Sequence, residues 1–168
     1  MSTVFEKMFT GEKPVDYLYK NDKHGVLIFP DGSPAAYGHF LVVPREPVDH
    51  WHDLSPARAA QLSTITNLAC SHAMERLNDP RPNRIGQIVS GYGVAHAHMH
   101  GLPSYERGDF ANLFDPDRAS NPERRIGREQ LERTLADLAF PRELAEQADR
   151  LLDRYAEPEW ATEPCLTD

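Results

Sequence analysis

The sequence predicts an α+β fold: a largely antiparallel five-stranded sheet with a short N-terminal helix, one long helix and a helical C-terminal extension. Three observations predict it. Five short apolar runs bounded by turn residues read as strands. A single long helical pattern interrupts them, so most strand connections are hairpins rather than helical crossovers. Beyond residue 112 the pattern becomes helical, which divides the chain into a domain over 1–112 and an extension over 113–168 with an acidic tail.

Each element has its own signal. "STVFEKMF" places Val4, Phe5, Met8 and Phe9 on one side of a short helix, with Ser2 or Thr3 as its cap. "DYLYKN" and "HGVLIFP" read as two strands joined by the polar turn "NDKHG". "DGSPAAYG" is a loop, and "HFLVVP" is a third strand ended by Pro44. After the irregular "REPVDHWHDL", "SPARAAQLSTITNLACSHAMERLN" is the clearest helix in the chain. Ser55 caps it, and Pro56 takes the first helical position, where a missing N–H costs nothing. Leu62, Ile65, Leu68, Ala69 and His72 follow the spacing of one buried face. "RIGQIVS" and "AHAHMHGL" are the last two strands, separated by "GYG"; "ERRIGREQLERTLADL" and "RELAEQADRLLDRY" are helical.

Composition narrows the function. A chain of 168 residues can bury a core without disulfides or metals, and its 40% apolar and 26% charged content is that of a soluble globular protein. No apolar run approaches the roughly 20 residues that span a bilayer, and "MSTVFEKMFTGEK" is too polar for a signal peptide, so a cytoplasmic location is expected. Cys70 fits a core position and Cys165 a Pro- and Glu-rich tail, with no disulfide framework or zinc pair. A net charge of −8 argues against nucleic acid as the partner, since neutralising phosphates takes clustered Lys and Arg. A small-molecule partner is expected instead.

The chemistry concentrates in "VAHAHMHGLP", residues 94–103. On a strand, residues two apart share a face, so His96, His98 and His100 are expected together, looking into a cleft or solvent. Ala97, Met99 and Gly101 take the other face. Three readings compete. Alternate histidines can reach one zinc ion, with "HWHD" (His50, His52, Asp53) supplying a further ligand. They can be a polar strand face and nothing more. Or one can be a nucleophile with two helpers.

The nucleophile reading explains more of the surroundings. A neutral imidazole, of reference pKa about 6.5, attacks phosphorus near neutral pH and leaves a labile adduct. Flanking histidines can hold its tautomer, bind phosphate oxygens or carry a proton. The "SGYGV" turn just before His96 offers backbone N–H groups, with Gly91 and Gly93 allowing a phosphate to approach closely.

"HAHMHGL" resembles the His-φ-His-φ-His-φ-φ signature of the histidine-triad (HIT) family, loosely at Gly101. The segments "GEKP", "DGSP" and "GHFLVVP" resemble the Hint branch, and "HGLPSYERGDF" resembles the stretch after the triad in the Fhit branch. The likeness runs over residues 4–110. It implies a HIT-like fold, a homodimer, and a nucleotidyl hydrolase or transferase that needs no metal or other cofactor. The implied substrate is a nucleoside phosphoramidate or dinucleoside polyphosphate, of a purine nucleotide, cleaved at the α-phosphorus.

In the site that the resemblance implies, His98 is the nucleophile, His96 and His100 assist at the phosphate and leaving group, and His39 stands beside the nucleophile. Asp31, eight residues before His39, holds the ribose hydroxyls, although a turn alone also accounts for Asp31-Gly32. Phe5, Met8 and Phe29 lie near the base, where a plain core reading serves equally, and Gly91 and Gly93 lie near the phosphates. Ile85 and Gly91-Tyr92 stand where many family members carry Asn and Gly-Gln, so two phosphate-binding amides are missing. That loss motivates an alternative, a nucleotide-binding regulatory or scaffold protein with weak catalysis. A metal-dependent hydrolase using the same histidines is the third.

Overall fold

A computed structural model describes residues 2–90 and 93–156. Gly91, Tyr92 and Cys165 lie outside the described residues. The elements run α1 (Val4–Thr10), β1 (Tyr19–Asn21), β2 (Val26–Pro30), β3 (Phe40–Pro44), α2 (Pro56–Arg76), β4 (Arg84–Ser90), β5 (His98–Ser104), α3 (Asp109–Asn112), α4 (Arg128–Leu138) and α5 (Arg142–Arg154). The five strands form one sheet in the order β1-β2-β3-β5-β4, and every pairing is antiparallel.

Both faces of the sheet are covered, which is why β2 and β3 are buried at every position and read as unbroken apolar runs. On one face Val26, Ile28, Phe40, Val42 and Met99 pack with Leu62, Ile65 and Ala69 of α2. On the other, Leu27, Phe29, Leu41 and Val43 pack with Phe5 of α1. His100 lies opposite Leu41 in the register, and so on the α1 face.

The helix ends follow their sequence signals. Thr3 caps α1 in a capping box with Glu6, and Gly11 closes it at φ 81°. The Ser55 hydroxyl accepts from Arg58 N at the start of α2, with Pro56 in the first turn.

Two expected strands are shorter in the structure. Only Tyr19–Asn21 of "DYLYKN" pairs with β2. β5 begins at His98, so His96 is not on the strand. There the backbone turns away from the sheet: His96 N–H donates to the Val94 carbonyl at 2.7 Å, and Ala97 N–H to the Val48 carbonyl at 2.7 Å.

Gly101 departs from the signature for a packing reason. It pairs with Phe40, whose ring lies across it, and a Cβ built there would sit 2.1 Å from Phe40 Cζ. Residues beyond 112 join the same core: Leu138, Ala148 and Leu152 pack in the cluster that contains Leu62 and Ile65. Gln61 Nε2 donates to the Leu152 carbonyl at 2.7 Å, and Tyr37 Oη to Asp137 at 2.6 Å. Among the described residues no helix is long and apolar enough to cross a membrane.

Candidate active site

α1 lies over the histidines because the apolar face formed by Leu27, Phe29, Leu41 and Val43 needs cover. Phe5 meets His96 and His98 edge-on, with ring centroids 5.4 and 5.1 Å away. His39, His96, His98 and His100 are all buried, so of the two expected surroundings, a cleft or open solvent, the second does not apply.

Buried imidazoles must satisfy their ring nitrogens, and the available partners assign each tautomer. At His39, Nδ1 accepts the Ala35 N–H at 3.1 Å, so the proton of the neutral ring sits on Nε2. From there it is donated to His100 Nδ1 at 2.9 Å. The proton of His100 is thereby placed on Nε2, a buried atom with no hydrogen-bond partner. His98 donates from Nδ1 to the His96 carbonyl at 2.7 Å, which leaves its lone pair on Nε2. His96 donates from Nε2 to the Pro44 carbonyl at 2.8 Å and accepts the Thr3 hydroxyl at Nδ1, 2.9 Å away.

Electrostatics agree with neutral rings. Burial, more than any neighbour, pulls His39 down to about 4, with Arg118 and His98 lowering it further against the opposing charge of Asp31. Burial, then the neighbouring His39, His98 and Arg118, brings His100 down to about 2. Burial also lowers His98, partly offset by its bond to the His96 carbonyl. His96 is lowered by burial, with its bond to Pro44 opposing. A neutral His98 carries an unprotonated Nε2, the form that can attack an electrophile.

Asp31 is both a turn residue and part of this cluster. Its Oδ1 accepts Ser33 N–H at 2.7 Å, as a turn aspartate does. Its Oδ2 lies 3.5 Å from His39 Nδ1 and accepts Arg118 Nη1 at 2.9 Å. Arg118 Nη1 also donates to the Ser33 carbonyl. Ligand atoms of Asp31, His39 and His100 come within 4.8 Å of one another, a grouping that can hold a metal ion.

A model of the HIT domain matches residues 10–107, more than half of the chain. The chain belongs to the HIT family. This is a superfamily of nucleotide-binding hydrolases. Protein hit of Bacillus subtilis is 30% identical over 109 residues, covering 63% of this chain and 73% of that protein. Mouse adenosine 5'-monophosphoramidase HINT3 is 28% identical over 114 residues, covering 66% and 68%. An uncharacterized HIT-like protein of Mycoplasma genitalium is 29% identical over 97 residues; the match covers 55% of this chain and 66% of that protein, just under two thirds of its length. A crystal structure of a HIT-like protein from Bartonella henselae superposes with a TM-score of 0.65 at 20% identity, covering 82% and 94% of the two chains. A zinc-bound histidine triad protein from Mycobacterium smegmatis superposes with 0.63 at 22%, covering 89% and 97%. At those identities the structures share the fold.

In this HIT family member the four predicted histidines meet at one place, together with Phe5 and Asp31. The Phe29 and Phe5 ring centroids lie 5.9 Å apart, and Met8 packs half-buried against the same cluster. Gly93 is exposed, with open space where a side chain would point, and Gly91 lies outside the described residues. His50 and His52 stack on each other at 5.2 Å, both largely exposed, and do not join the Asp31, His39 and His100 grouping.

Sequence reasoning missed three participants. Thr3 was expected as a cap but also holds His96. Ala35 acts through its backbone N–H, which no side-chain pattern can signal. Arg118 sits in the featureless "PDRASNP", 87 residues from Asp31.

Proposed function

We propose that this chain is a nucleotidyl hydrolase or transferase that cleaves a nucleoside phosphoramidate or dinucleoside polyphosphate through a nucleotidyl-His98 intermediate. The observation that carries this reading is the bond from His98 Nδ1–H to the His96 carbonyl, which turns the Nε2 lone pair away from the backbone. That lone pair forms a bond to the α-phosphorus while the bond to the leaving group breaks. The leaving group takes the electron pair and a proton from water. A second water then attacks the phosphorus, the electron pair of the P–Nε2 bond returns to His98, the proton of that water passes to solvent, and the nucleoside monophosphate departs.

His100 serves as a hydrogen-bond donor rather than a base in this scheme. Its proton is on Nε2, the atom left without a partner, and a ring this hard to protonate stays neutral. A phosphate oxygen is the acceptor such an orphaned N–H suits. His96 positions, since both of its ring nitrogens are engaged by Pro44 and Thr3. Phe5 and Phe29 line the base side. The activity printed in the name of HINT3, an adenosine 5'-monophosphoramidase, supports the same reaction class. A homodimer fits this reading: β4, seven residues long, ends the sheet with its outer edge unpaired among the described residues. Light scattering on the intact protein tests the dimer.

A second reading, a metal-dependent hydrolase, rests on the grouping of Asp31, His39 and His100. Two contacts weigh against it: Ala35 N–H already occupies His39 Nδ1, and a guanidinium sits on Asp31. Release of nucleoside monophosphate from a phosphoramidate, followed with and without EDTA, separates the readings. Turnover that survives EDTA and disappears in His98→Ala supports the nucleophile. Loss of all turnover on chelation supports the metal, and binding without turnover supports a scaffold.

A further inference from the structure

Arg118 brings a cation onto Asp31, beside His39, and none of the roles proposed above uses it. The side chain is largely buried, and both of its hydrogen bonds leave from one nitrogen: Nη1 donates to Asp31 Oδ2 at 2.9 Å and to the Ser33 carbonyl. Nε and Nη2 take no hydrogen-bond partner among the described residues. A guanidinium fixed at one nitrogen still offers the edge formed by its other two, the geometry that grips a phosphate through two parallel bonds.

Asp31 holds that group in place, with its own Oδ1 fixed by Ser33 N–H. Arg118 also lines a cleft of about 430 Å³ between Gly93 and residues 113–119, with Leu113, Phe114 and Pro116 on its walls; the lining includes one carboxylate, Asp115, which is paired with Arg124 Nη1 at 2.7 Å. Arg118 ties the cleft to the histidines: Asp31 Oδ2, which accepts its Nη1 at 2.9 Å, lies 3.5 Å from His39 Nδ1. Arg118 is the cleft's one cation among the described residues. Its charge is felt by both His98 and His100.

We propose that Arg118 binds a phosphate of the leaving group, and that the cleft beside Gly93 receives the rest of that group. This rests on the function proposed above and sharpens its substrate class: a leaving group that carries its own phosphate, as in a dinucleoside polyphosphate, over an uncharged amine. The apolar walls suit a flat ring beyond the phosphate. Asp31 then acts as the positioning residue for Arg118.

Two measurements on the full chain decide it. In the first, kcat/KM is compared for diadenosine tetraphosphate and adenosine phosphoramidate, in wild type, Arg118→Ala and Arg118→Lys. The ratio of polyphosphate to phosphoramidate is expected to fall at least tenfold in Arg118→Ala, with Arg118→Lys between, because lysine keeps charge but loses the fork. An unchanged ratio, with both substrates falling together, overturns the inference while leaving the His98 reaction standing. The second needs no turnover: calorimetric titration with inorganic triphosphate is expected to show binding to wild type and at least tenfold weaker binding to Arg118→Lys. Equal binding by the two, or none by wild type, overturns the inference even if the protein proves to catalyse nothing.

Discussion

His39 donates from Nε2 to His100 Nδ1 across 2.9 Å, and the Ala35 N–H at His39 Nδ1 sets the direction of that bond. One backbone amide thereby decides which nitrogen of a ring 65 residues later keeps a proton. The pair is buried and neutral, so each ring depends on the other for a satisfied nitrogen.

Removing this partner changes rate more than binding. In His39→Ala, His100 loses the donor that fixes its tautomer, and its proton is free to move to Nδ1. Steady-state kinetics on a phosphoramidate are expected to show kcat down roughly 100-fold, the low end of what a fixed hydrogen-bond donor to developing charge contributes, with KM changed only a few-fold. A wild-type kcat in a folded His39→Ala would remove the pair from the mechanism.

Neutral buried histidines also set the pH response. His39, His96, His98 and His100 are all harder to protonate folded than unfolded. Between the folded values and the unfolded value of about 6.5, the unfolded chain binds protons that the folded one does not. Stability is therefore fully present above pH of about 6.5 and is lost as pH falls toward 4, the value to which His39 is pushed. Thermal melts across that range are expected to show a falling Tm that flattens on substituting His39 by Gln. The acid limb of kcat/KM is expected below 6.5, because His98 stays unprotonated further into acid than a free imidazole. A limb above 6.5 would contradict the burial of His98.

Gly101 is held by packing, not by backbone conformation. Its added Cβ would meet three ring atoms of Phe40 at 2.1–2.6 Å, and that ring is fully enclosed between sheet and α2. Gly101→Ala is expected to cost about 3 kcal/mol in urea unfolding, the upper range for overpacking a tight core. A loss near zero would mean that the ring can move aside.

Much of this was legible in the chain, and the reasons differ by element. The caps were readable, Ser55 with Pro56 outright and the first helix to Ser2 or Thr3, of which the structure uses Thr3, because capping is local chemistry decided within three residues. β2 and β3 were readable because sheets covered on both faces leave unbroken apolar runs. The departure of His96 from β5 was not readable. It depends on Val48 and Pro44 carbonyls in a distant segment, while the alternating histidines fit a strand perfectly well. Arg118 was hidden for the same reason: a loop arginine has no periodicity, and only the folded chain sets it on Asp31.

The nucleophile is the centre of the account, and intact-mass measurement tests it most directly. The protein is mixed with a nucleoside phosphoramidate, quenched within the first turnovers and weighed, and the adduct is mapped by peptide. A nucleotidyl group on His98 in the wild-type chain, absent in His98→Ala, is the predicted result. Turnover with no adduct, or an adduct that survives in His98→Ala, would contradict it.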